Sequence, residues 1–313
     1  MTFRVTILGC GSAAPSANRH HTAHALNVHE QFFLIDCGEG TQDRMRQYGI
    51  SPLKLNAIFI SHLHGDHVFG LPGVLSTLNH FGRKTPLHLF GPAPIEEILQ
   101  FHLKHFEQNL GYPIVCHEVN ARQESLIYEN RVMEVTTIPL RHRIPATGYL
   151  FREKTPPLNV DKAVIRRHSL SLAQITALKR GEDILLADGT PLPCAEATYV
   201  PYPPRSYAFC SDTLYSGKVV RLIHGVDLLY HEATFLDKDR PLAKETGHTT
   251  ALQAAKAASL AEVGQLLIGH FSSRYKDDSL LLDEARTLFP NTLIAREGDT
   301  ITLAPKRHPR AAL

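Results

Sequence analysis

The most informative part of the chain is the stretch "FISHLHGDHVFGLPG" at residues 59–73. Three histidines and one aspartate fall within six residues of this stretch: His62, His64, Asp66 and His67. The apolar run "NAIFIS" at 56–61 predicts a buried strand, and the small and apolar residues at 70–82 predict a helix. Imidazole and carboxylate groups are common ligands of Zn²⁺. The sequence therefore predicts a strand, a metal-binding loop and a helix in succession.

An apolar run that ends on an ionisable side chain recurs along the chain. It occurs at 207–212, 227–232 and 265–270, which end at or beside Asp212, His231, Glu232 and His270. His142 follows the apolar run at 133–140 in the same manner. In layered α/β folds, functional side chains gather at the carboxyl ends of strands. We therefore expect these residues to lie near the cluster that begins at His62, with His231 in a structural or supporting role.

The spacing of the cluster favours two metal ions over one. On an extended loop the side chains of His62 and His64 share a side, and Gly65 lets the backbone turn before the next two ligands. We expect one ion on His62, His64 and His142, the other on Asp66, His67 and His270, and a bridging Asp212. The alternative is that these side chains pack and hydrogen-bond without a metal, which is the usual role of a single histidine.

The bulk composition is that of a soluble globular protein. The 313 residues are 43% apolar and 20% charged, and the formal net charge is +2, so nucleic-acid binding has to be inferred from a local patch. Nineteen histidines raise the expectation of a metal site. The five cysteines form no CxxC pair and suggest reduced thiols in a cytoplasmic protein. We expect no signal peptide and no membrane partner, since no apolar run reaches about 20 residues.

Prolines at both ends delimit a segment of different character at residues 153–205. It contains an acid-free basic stretch at 162–180 with five cations: Lys162, Arg166, Arg167, Lys179 and Arg180. We interpret it as an arm inserted into one domain that spans residues 1–313, too small to bury a core of its own. Ser171 is expected to cap a short helix within it, and residues 305–313 are expected to form a flexible tail.

Several motifs together resemble one known family. They are "LGCGSAAP" (8–15), "FLIDCGEGTQ" (33–42), the 59–73 stretch, "LRHRIPATGY" (140–149), "FCSDT" (209–213), "HEATF" (231–235), "KETGHTT" (244–250) and "GHFSSRY" (269–275). The HxHxDH pattern of residues 62–67 is the signature of the metallo-β-lactamase superfamily. The elements around 244–250 and 269–275 resemble those of its ribonuclease Z branch, which processes the 3′ ends of tRNA.

The resemblance implies an α/β fold, α+β by some schemes, with the four layers of an αββα sandwich and an inserted substrate-binding arm. It implies a zinc-dependent phosphodiesterase that removes the 3′ trailer from precursor tRNA, acts in the cytoplasm and forms a homodimer. Two Zn²⁺ would be held by the seven ligands above, with Asp66, Glu232 and His248 in proton transfer. Arg274 and the five arm cations would bind substrate phosphates.

The chain departs from the family pattern in two places. The arm lacks a Gly-Pro-rich tip, and the loop "PSANRH" (15–20) differs from the usual basic form. Other readings therefore stay open. They are a small-molecule phosphodiesterase or arylsulfatase-like hydrolase on the same site, and a non-catalytic binding protein. Glu232 and His248 could instead cap helices, and the arm cations could merely be solvated.

Overall fold

The computed structural model describes residues 1–14, 19–106 and 109–306. Residues 15–18 of the "PSANRH" loop and 307–313 of the expected tail lie outside this description. The described chain divides into two compact units. The first contains Met1–Glu129, Glu134–Phe151 and Ser206–Leu303, and the second is built chiefly from Arg152–Arg205.

The strands are short and apolar, as the sequence leads one to expect. In chain order they are β1 (Phe3–Gly9), β2 (Ala23–Val28), β3 (Gln31–Ile35), β4 (Leu55–Phe59), β5 (Leu87–Gly91), β6 (Ile114–Glu118), β7 (Leu126–Glu129), β8 (Met133–Pro139), β9 (Thr147–Glu153), β10 (Asn159–Val160), β11 (Ile184–Leu185), β12 (Pro191–Leu192), β13 (Thr198–Tyr199), β14 (Ser206–Cys210), β15 (Leu228–Glu232), β16 (Gln265–Gly269), β17 (Thr292–Ile294) and β18 (Thr300–Thr302).

The helices mostly follow the strands. They are α1 (Thr41–Gln47), α2 (Gly65–Val68), α3 (Leu71–His80), α4 (Ile95–His105), α5 (Lys162–His168), α6 (Leu172–Lys179), α7 (Cys194–Ala197), α8 (Gly217–Leu222), α9 (Arg240–Thr246), α10 (Ala251–Leu260) and α11 (Ser279–Arg286), with short 3₁₀ turns at Pro52–Lys54 and Asp237–Asp239. Within the described ranges, no helix has both the length and the apolarity that crossing a bilayer requires.

The strands of the first unit form two seven-stranded sheets. One has the order β18-β1-β2-β3-β4-β5-β6 and the other β17-β16-β15-β14-β9-β8-β7. In the first sheet β3, β4, β5 and β6 run parallel, and in the second β14, β15, β16 and β17 run parallel. Neighbouring parallel strands end on the same edge of a sheet, so the loops that carry the candidate ligands emerge together.

Aromatic side chains fill the space between the two sheets. The ring of Phe59 on β4 lies 4.7 Å from that of Phe90 in its own sheet and 5.2 Å from that of Phe151 on β9 of the other. On the outer face of the first sheet, α3 buries Leu75 and Leu78 in an apolar cluster. Helices α10 and α11 lie against the second sheet. The four-layer αββα sandwich predicted from the sequence is therefore confirmed.

One expectation about helix α10 needs correction. The sequence "HTTALQAAKAASLAEVG" at 248–264 predicts a helix over its whole length, but helix α10 spans only Ala251–Leu260. Thr250 caps it, because its side chain accepts a hydrogen bond from the backbone of Gln253 at 3.2 Å, while the Gln253 side chain accepts one from the Thr250 backbone at 3.1 Å. His248 therefore lies in the loop between α9 and α10, before the cap.

The second unit has a small apolar core, contrary to the expectation that the arm would have none. Apolar side chains from α6, β11 and β12 meet in a cluster with four others: Leu178, Ile184, Leu192, Val160, Leu170, Cys194 and Ala197. Ser171 caps α6 as predicted, in a reciprocal arrangement with Gln174. The short helices and strand pairs fold against each other because each contributes one or two apolar residues to the same small cluster.

We expect Phe59→Ala to destabilise the protein by about 3–5 kcal/mol, because it removes the ring that joins the two sheets and leaves a cavity. Urea unfolding followed by circular dichroism measures this change. The matched control is Phe81→Ala, since Phe81 is 54% exposed, and its effect should stay within about 0.5 kcal/mol. Similar losses in the two variants would mean that Phe59 does not hold the sheets together.

Candidate metal centre

The loop after β4 is held in place by the carboxylate of Asp36. This side chain is fully buried and directly follows β3, where its own backbone has a φ of 56°. One carboxylate oxygen accepts a hydrogen bond from the Ser61 backbone at 2.7 Å, and the other accepts one from the Ser61 hydroxyl at 2.8 Å. These hydrogen bonds fix the direction in which the loop leaves the sheet, and His62 directly follows the bonded residue Ser61.

Three imidazole nitrogens and one carboxylate oxygen converge beside this loop. His62 Nε2 lies 3.0 Å from His64 Nδ1, and His142 Nε2 lies 3.3 Å from the same atom. The Asp212 Oδ2 atom is 3.6 Å from His62 Nε2 and 3.8 Å from His142 Nε2. His62, His64 and His142 thus form one donor set that includes one oxygen of Asp212.

A second donor set lies on the other oxygen of Asp212. The Oδ1 atom is 3.3 Å from His67 Nε2 and 3.1 Å from His270 Nε2. These two nitrogens are 3.3 Å apart, and Asp66 Oδ2 is 3.4 Å from the first and 3.5 Å from the second. The structure thus brings together all seven residues that the sequence analysis selected as ligands, in the two groups expected.

These separations suit metal ions of tetrahedral preference. Donor atoms that lie about 2.0–2.1 Å from a central ion at tetrahedral angles are about 3.3 Å from one another. The four separations given above for the first set are 3.0–3.8 Å, and the five given for the second are 3.1–3.5 Å. The residues present therefore fit two such ions that share the Asp212 carboxylate.

Each histidine that presents Nε2 to the site has a partner for its other ring nitrogen. For His62 and His270 the partners of Nδ1 are the hydroxyls of Ser61 and Thr234, both at 2.9 Å. His142 Nδ1 lies 2.9 Å from the Gly247 carbonyl, and His67 Nδ1 lies 2.7 Å from Asp36. Such partners fix the tautomer and orient the ring, which is the usual support of a metal-binding histidine.

The electrostatic environment separates the histidines into two kinds. Burial lowers the pKa of His62, His64 and His142, with the charges of neighbouring histidines adding to the effect. Their imidazoles are therefore neutral near pH 7, and the neutral form is the one that binds a metal. Burial would also lower the pKa of His67, but the charges and hydrogen bonds of Asp212 and Asp36 raise it well above the ordinary value.

Glu232 and His248 form a buried pair beside the two donor sets. Glu232 lies at the end of β15 and accepts hydrogen bonds from three backbone amides, those of Thr213, Thr234 and Thr249, at 2.9–3.1 Å. Its Oε1 atom is 3.0 Å from His248 Nδ1. Burial would lower the pKa of His248, but the charge and hydrogen bond of Glu232 and the charge of Asp212 raise it to about 9. The expectation that Glu232 could be a surface or capping carboxylate is therefore wrong.

An open cleft of about 450 Å³ gives access to these groups. Its walls include five of the site residues: His64, Asp66, Asp212, His248 and His270. The backbone amide of Ala13, in the "LGCGSAAP" loop, donates to Asp66 at 2.8 Å and holds this carboxylate at the cleft. Phe69 and Arg143 also line the cleft. A phosphodiester that enters here would meet both donor sets and the Glu232–His248 pair.

The remaining candidates lie outside this cluster. Arg274 is exposed on the loop after β16 and is not among the residues that line the cleft. The five arm cations are exposed on α5, on α6 and just after α6, and Arg180 is paired with Glu182 at 2.8 Å. His231 is buried, with its Nδ1 2.8 Å from the Glu232 carbonyl, and belongs to neither donor set.

Comparisons with known proteins agree with the geometry. Over 301 residues the chain is 46% identical to ribonuclease Z of Bacteroides fragilis, which covers 96% of this chain and 99% of that protein. Ribonuclease Z of Cytophaga hutchinsonii is 43% identical over 307 residues, with 98% of both chains covered. The chain belongs to the ribonuclease Z family. This membership confirms the resemblance noted in the sequence.

Three further matches describe the wider relationship of this ribonuclease Z family member. The crystal structure of the short form of human tRNase Z superposes with a TM-score of 0.69 and 25% identity, covering 95% of this chain and 98% of that one. A diphosphatase of the PhnP family shares the fold with a TM-score of 0.62 and 16% identity, covering 98% of this chain and all of the other. The family profile described as anti-Pycsar protein Apyc1 matches residues 3–153.

Sequence reasoning missed the residues that support the ligands of this ribonuclease Z family member. Asp36 and Thr234 both contact a ligand histidine through its second nitrogen. Each lies within a motif that carried the family resemblance, "FLIDCGEGTQ" and "HEATF", but neither was assigned a role. An acid at the end of an apolar strand was an available signal for Asp36, because the same signal identified Asp212.

We expect Asp36→Asn to weaken zinc binding by about 10–100-fold, because an amide has one acceptor oxygen and cannot accept from the Ser61 backbone amide at one position and from the Ser61 hydroxyl and the His67 ring at the other. Competition against a zinc-binding dye measures the affinity. Asp43→Asn, which removes an exposed carboxylate from α1, is the matched control and should bind zinc as the wild type does. Unchanged affinity in Asp36→Asn would show that the carboxylate does not orient His67.

Proposed function

We propose that the chain is a metal-dependent endoribonuclease that cuts the 3′ trailer from precursor tRNA with two zinc ions. The observation that carries this proposal is the shared Asp212 carboxylate, whose two oxygens face separate donor sets beside the Glu232–His248 pair. Bound at these sets, the ions would polarise the phosphate and make water nucleophilic near neutral pH. Hydrolysis would join a water oxygen to phosphorus and break the bond to the 3′-oxygen of the upstream nucleotide.

Asp66 is suited to orient the attacking water and to take its proton. One of its oxygens is engaged by the Ala13 amide and faces His67 and His270. Burial would raise the pKa of Asp66, but hydrogen bonds from His270 and His67 lower it, so the carboxylate is ionised and accepts hydrogen bonds. Its position at the cleft places it next to any water that attacks a phosphate there.

His248 is suited to donate the proton that the leaving 3′-oxygen needs. Its Nδ1 is committed to Glu232, which leaves Nε2 as the donor. Glu232 raises the pKa of His248 to about 9, with burial acting in the opposite direction, so the ring carries a proton at neutral pH. The product would then be a tRNA with a free 3′-hydroxyl and a trailer with a 5′-phosphate.

The proposal also covers the role of the arm, the oligomeric state and the location in the cell. The arm at 153–205 would bind the tRNA away from the cut, since its five cations are exposed and a phosphate backbone is recognised mainly by charge. Arg274 would bind a phosphate nearer the cleft. We also propose that the protein acts as a homodimer in the cytoplasm. The small-molecule alternative would need no arm, and the matched family profile ends at residue 153, where the arm begins.

Asp66→Ala and His248→Ala should have different effects on metal content. The wild type should contain about two zinc ions per chain, and Asp66→Ala should lose metal as well as rate, because the carboxylate belongs to a donor set. His248→Ala should keep both ions while kcat falls by about 10²–10⁴-fold. Elemental analysis beside steady-state kinetics separates the two effects. Equal metal loss in both variants would refute the assigned roles.

Removal of the arm should separate RNA binding from chemistry. Joining residue 157 to residue 201 is feasible because Asn159 and Tyr199 are paired on β10 and β13. Hydrolysis of bis-p-nitrophenyl phosphate should fall by no more than about tenfold. Cleavage of precursor tRNA should fall much further, mainly through KM, and should lose part of its salt dependence.

A full-length variant with the five arm cations changed to glutamine is the matched control for this deletion. It keeps the apolar cluster of the second unit and removes only charge, so its KM for precursor tRNA should also rise. If the deleted protein cleaved precursor tRNA as well as the intact chain does, the arm would have no role in tRNA binding.

A further inference from the structure

A second pocket adjoins the cleft at His248, which lines both. It has a volume of about 270 Å³ and is lined by Arg141, Tyr215, Arg240, Lys244, His248 and Gln253. His248 is thus common to the pocket and to the cleft. Three of the other residues are cations, so the pocket is strongly basic although the chain as a whole carries a net charge of only +2.

Two of the three cations have no carboxylate partner. The Arg240 guanidinium is held by Asp237 through hydrogen bonds of 2.7–2.9 Å. Within the part of the chain that the structure describes, neither Arg141 nor Lys244 forms an ion pair. A fourth cation, Lys256, lies 5.5 Å from the ring centre of Tyr215 at the same pocket. Positive charge is therefore concentrated here, and of these cations only Arg240 is neutralised by a carboxylate that the structure describes.

The backbone of this pocket is tied to the metal centre. The Arg141 amide donates to the Thr213 hydroxyl at 3.0 Å, and the Leu214 amide donates to the Arg141 carbonyl at 2.8 Å. Arg141 and Arg143 flank the candidate ligand His142, and one lines the second pocket while the other lines the cleft. A phosphate held by Arg141 would therefore have a fixed position relative to a phosphate at the metal centre.

We propose that this pocket binds the backbone phosphate on the 5′ side of the nucleotide whose 3′-oxygen leaves, with Arg141 and Lys244 as its ligands. The inference rests on the proposed function, in which His248 protonates that 3′-oxygen. The nucleotide attached to the leaving oxygen must lie on the His248 side of the cleft, and its own 5′-phosphate is one nucleotide further along. The basic pocket adjoins His248, and we therefore assign this phosphate to it.

The test combines a protein change with a substrate change. Arg141→Ala/Lys244→Ala is compared with the wild type on precursor tRNA, with the proposed phosphate either intact or replaced by an uncharged methylphosphonate. For the wild type, kcat/KM should fall at least tenfold when that phosphate is neutralised, because charge-assisted hydrogen bonds are lost. For the double variant the same neutralisation should have almost no further effect, and its salt dependence should be shallower by about 0.7 per lost contact.

Controls keep the outcome interpretable. Lys104→Ala/Arg122→Ala removes the same charges from exposed positions away from both pockets and should respond to the methylphosphonate as the wild type does. Binding of the mature tRNA product by fluorescence anisotropy gives a readout without turnover, and it should weaken in the Arg141/Lys244 variant alone. Thermal unfolding and metal content establish that this variant is folded and loaded.

Three outcomes overturn the inference in distinguishable ways. If the Arg141/Lys244 substitutions and the methylphosphonate lowered kcat/KM independently of each other, the pocket would not contact that phosphate. Coupling to a phosphate of the trailer instead would show that the strand runs in the opposite direction. Failure of the wild type to cleave precursor tRNA would overturn the proposed function, and this inference with it.

Discussion

The buried carboxylate of Asp36 is the interaction on which the metal centre depends. It accepts hydrogen bonds from Ser61 and from the ring of His67, while the Ser61 hydroxyl in turn contacts the ring of His62. His62 and His67 belong to different donor sets, so Asp36 connects the two sets through residues that support the ligands. Asp212 connects them directly, because each of its oxygens belongs to one set. An uncompensated carboxylate at this depth would be costly. The groups that donate hydrogen bonds to Asp36 also orient the candidate ligands His62 and His67. The same arrangement therefore stabilises the buried carboxylate and positions the two histidines.

The clustering of the candidate ligands could be predicted from the sequence, whereas the residues that support them could not. Each ligand sits where an apolar run stops, and this signal is local. The role of Asp36 depends on the parallel pairing of β3 with β4, in which Ile35 lies opposite Phe59 and the Asp36 amide donates to the Phe59 carbonyl at 2.8 Å. That register brings the carboxylate to Ser61, 25 residues further along the chain. No pattern within a single segment specifies such a pairing.

The core of the second unit was missed for a related reason. Its apolar residues are scattered singly, with Leu170, Leu178, Ile184 and Leu192 separated by six to eight positions. Neither a helical nor a strand period connects them, so pattern analysis indicates a solvated segment. The capping residue Ser171 was predicted because capping depends on sequence neighbours alone. In the arm, the helix cap could therefore be predicted from the sequence, but the tertiary packing could not.

The histidines of the site differ in protonation because their rings contact different groups. The Nδ1 atoms of His62 and His142 meet neutral oxygens, and burial keeps these rings neutral and ready to bind a cation. His248 and His67 both contact carboxylates, which raise the pKa of each ring. For His67, carboxylates also face Nε2, so a metal ion there would replace the proton and meet the same negative charge. For His248, Glu232 contacts Nδ1 and the ring lines both the cleft and the basic pocket, so a carboxylate sets its charge while the ring stays accessible to a substrate.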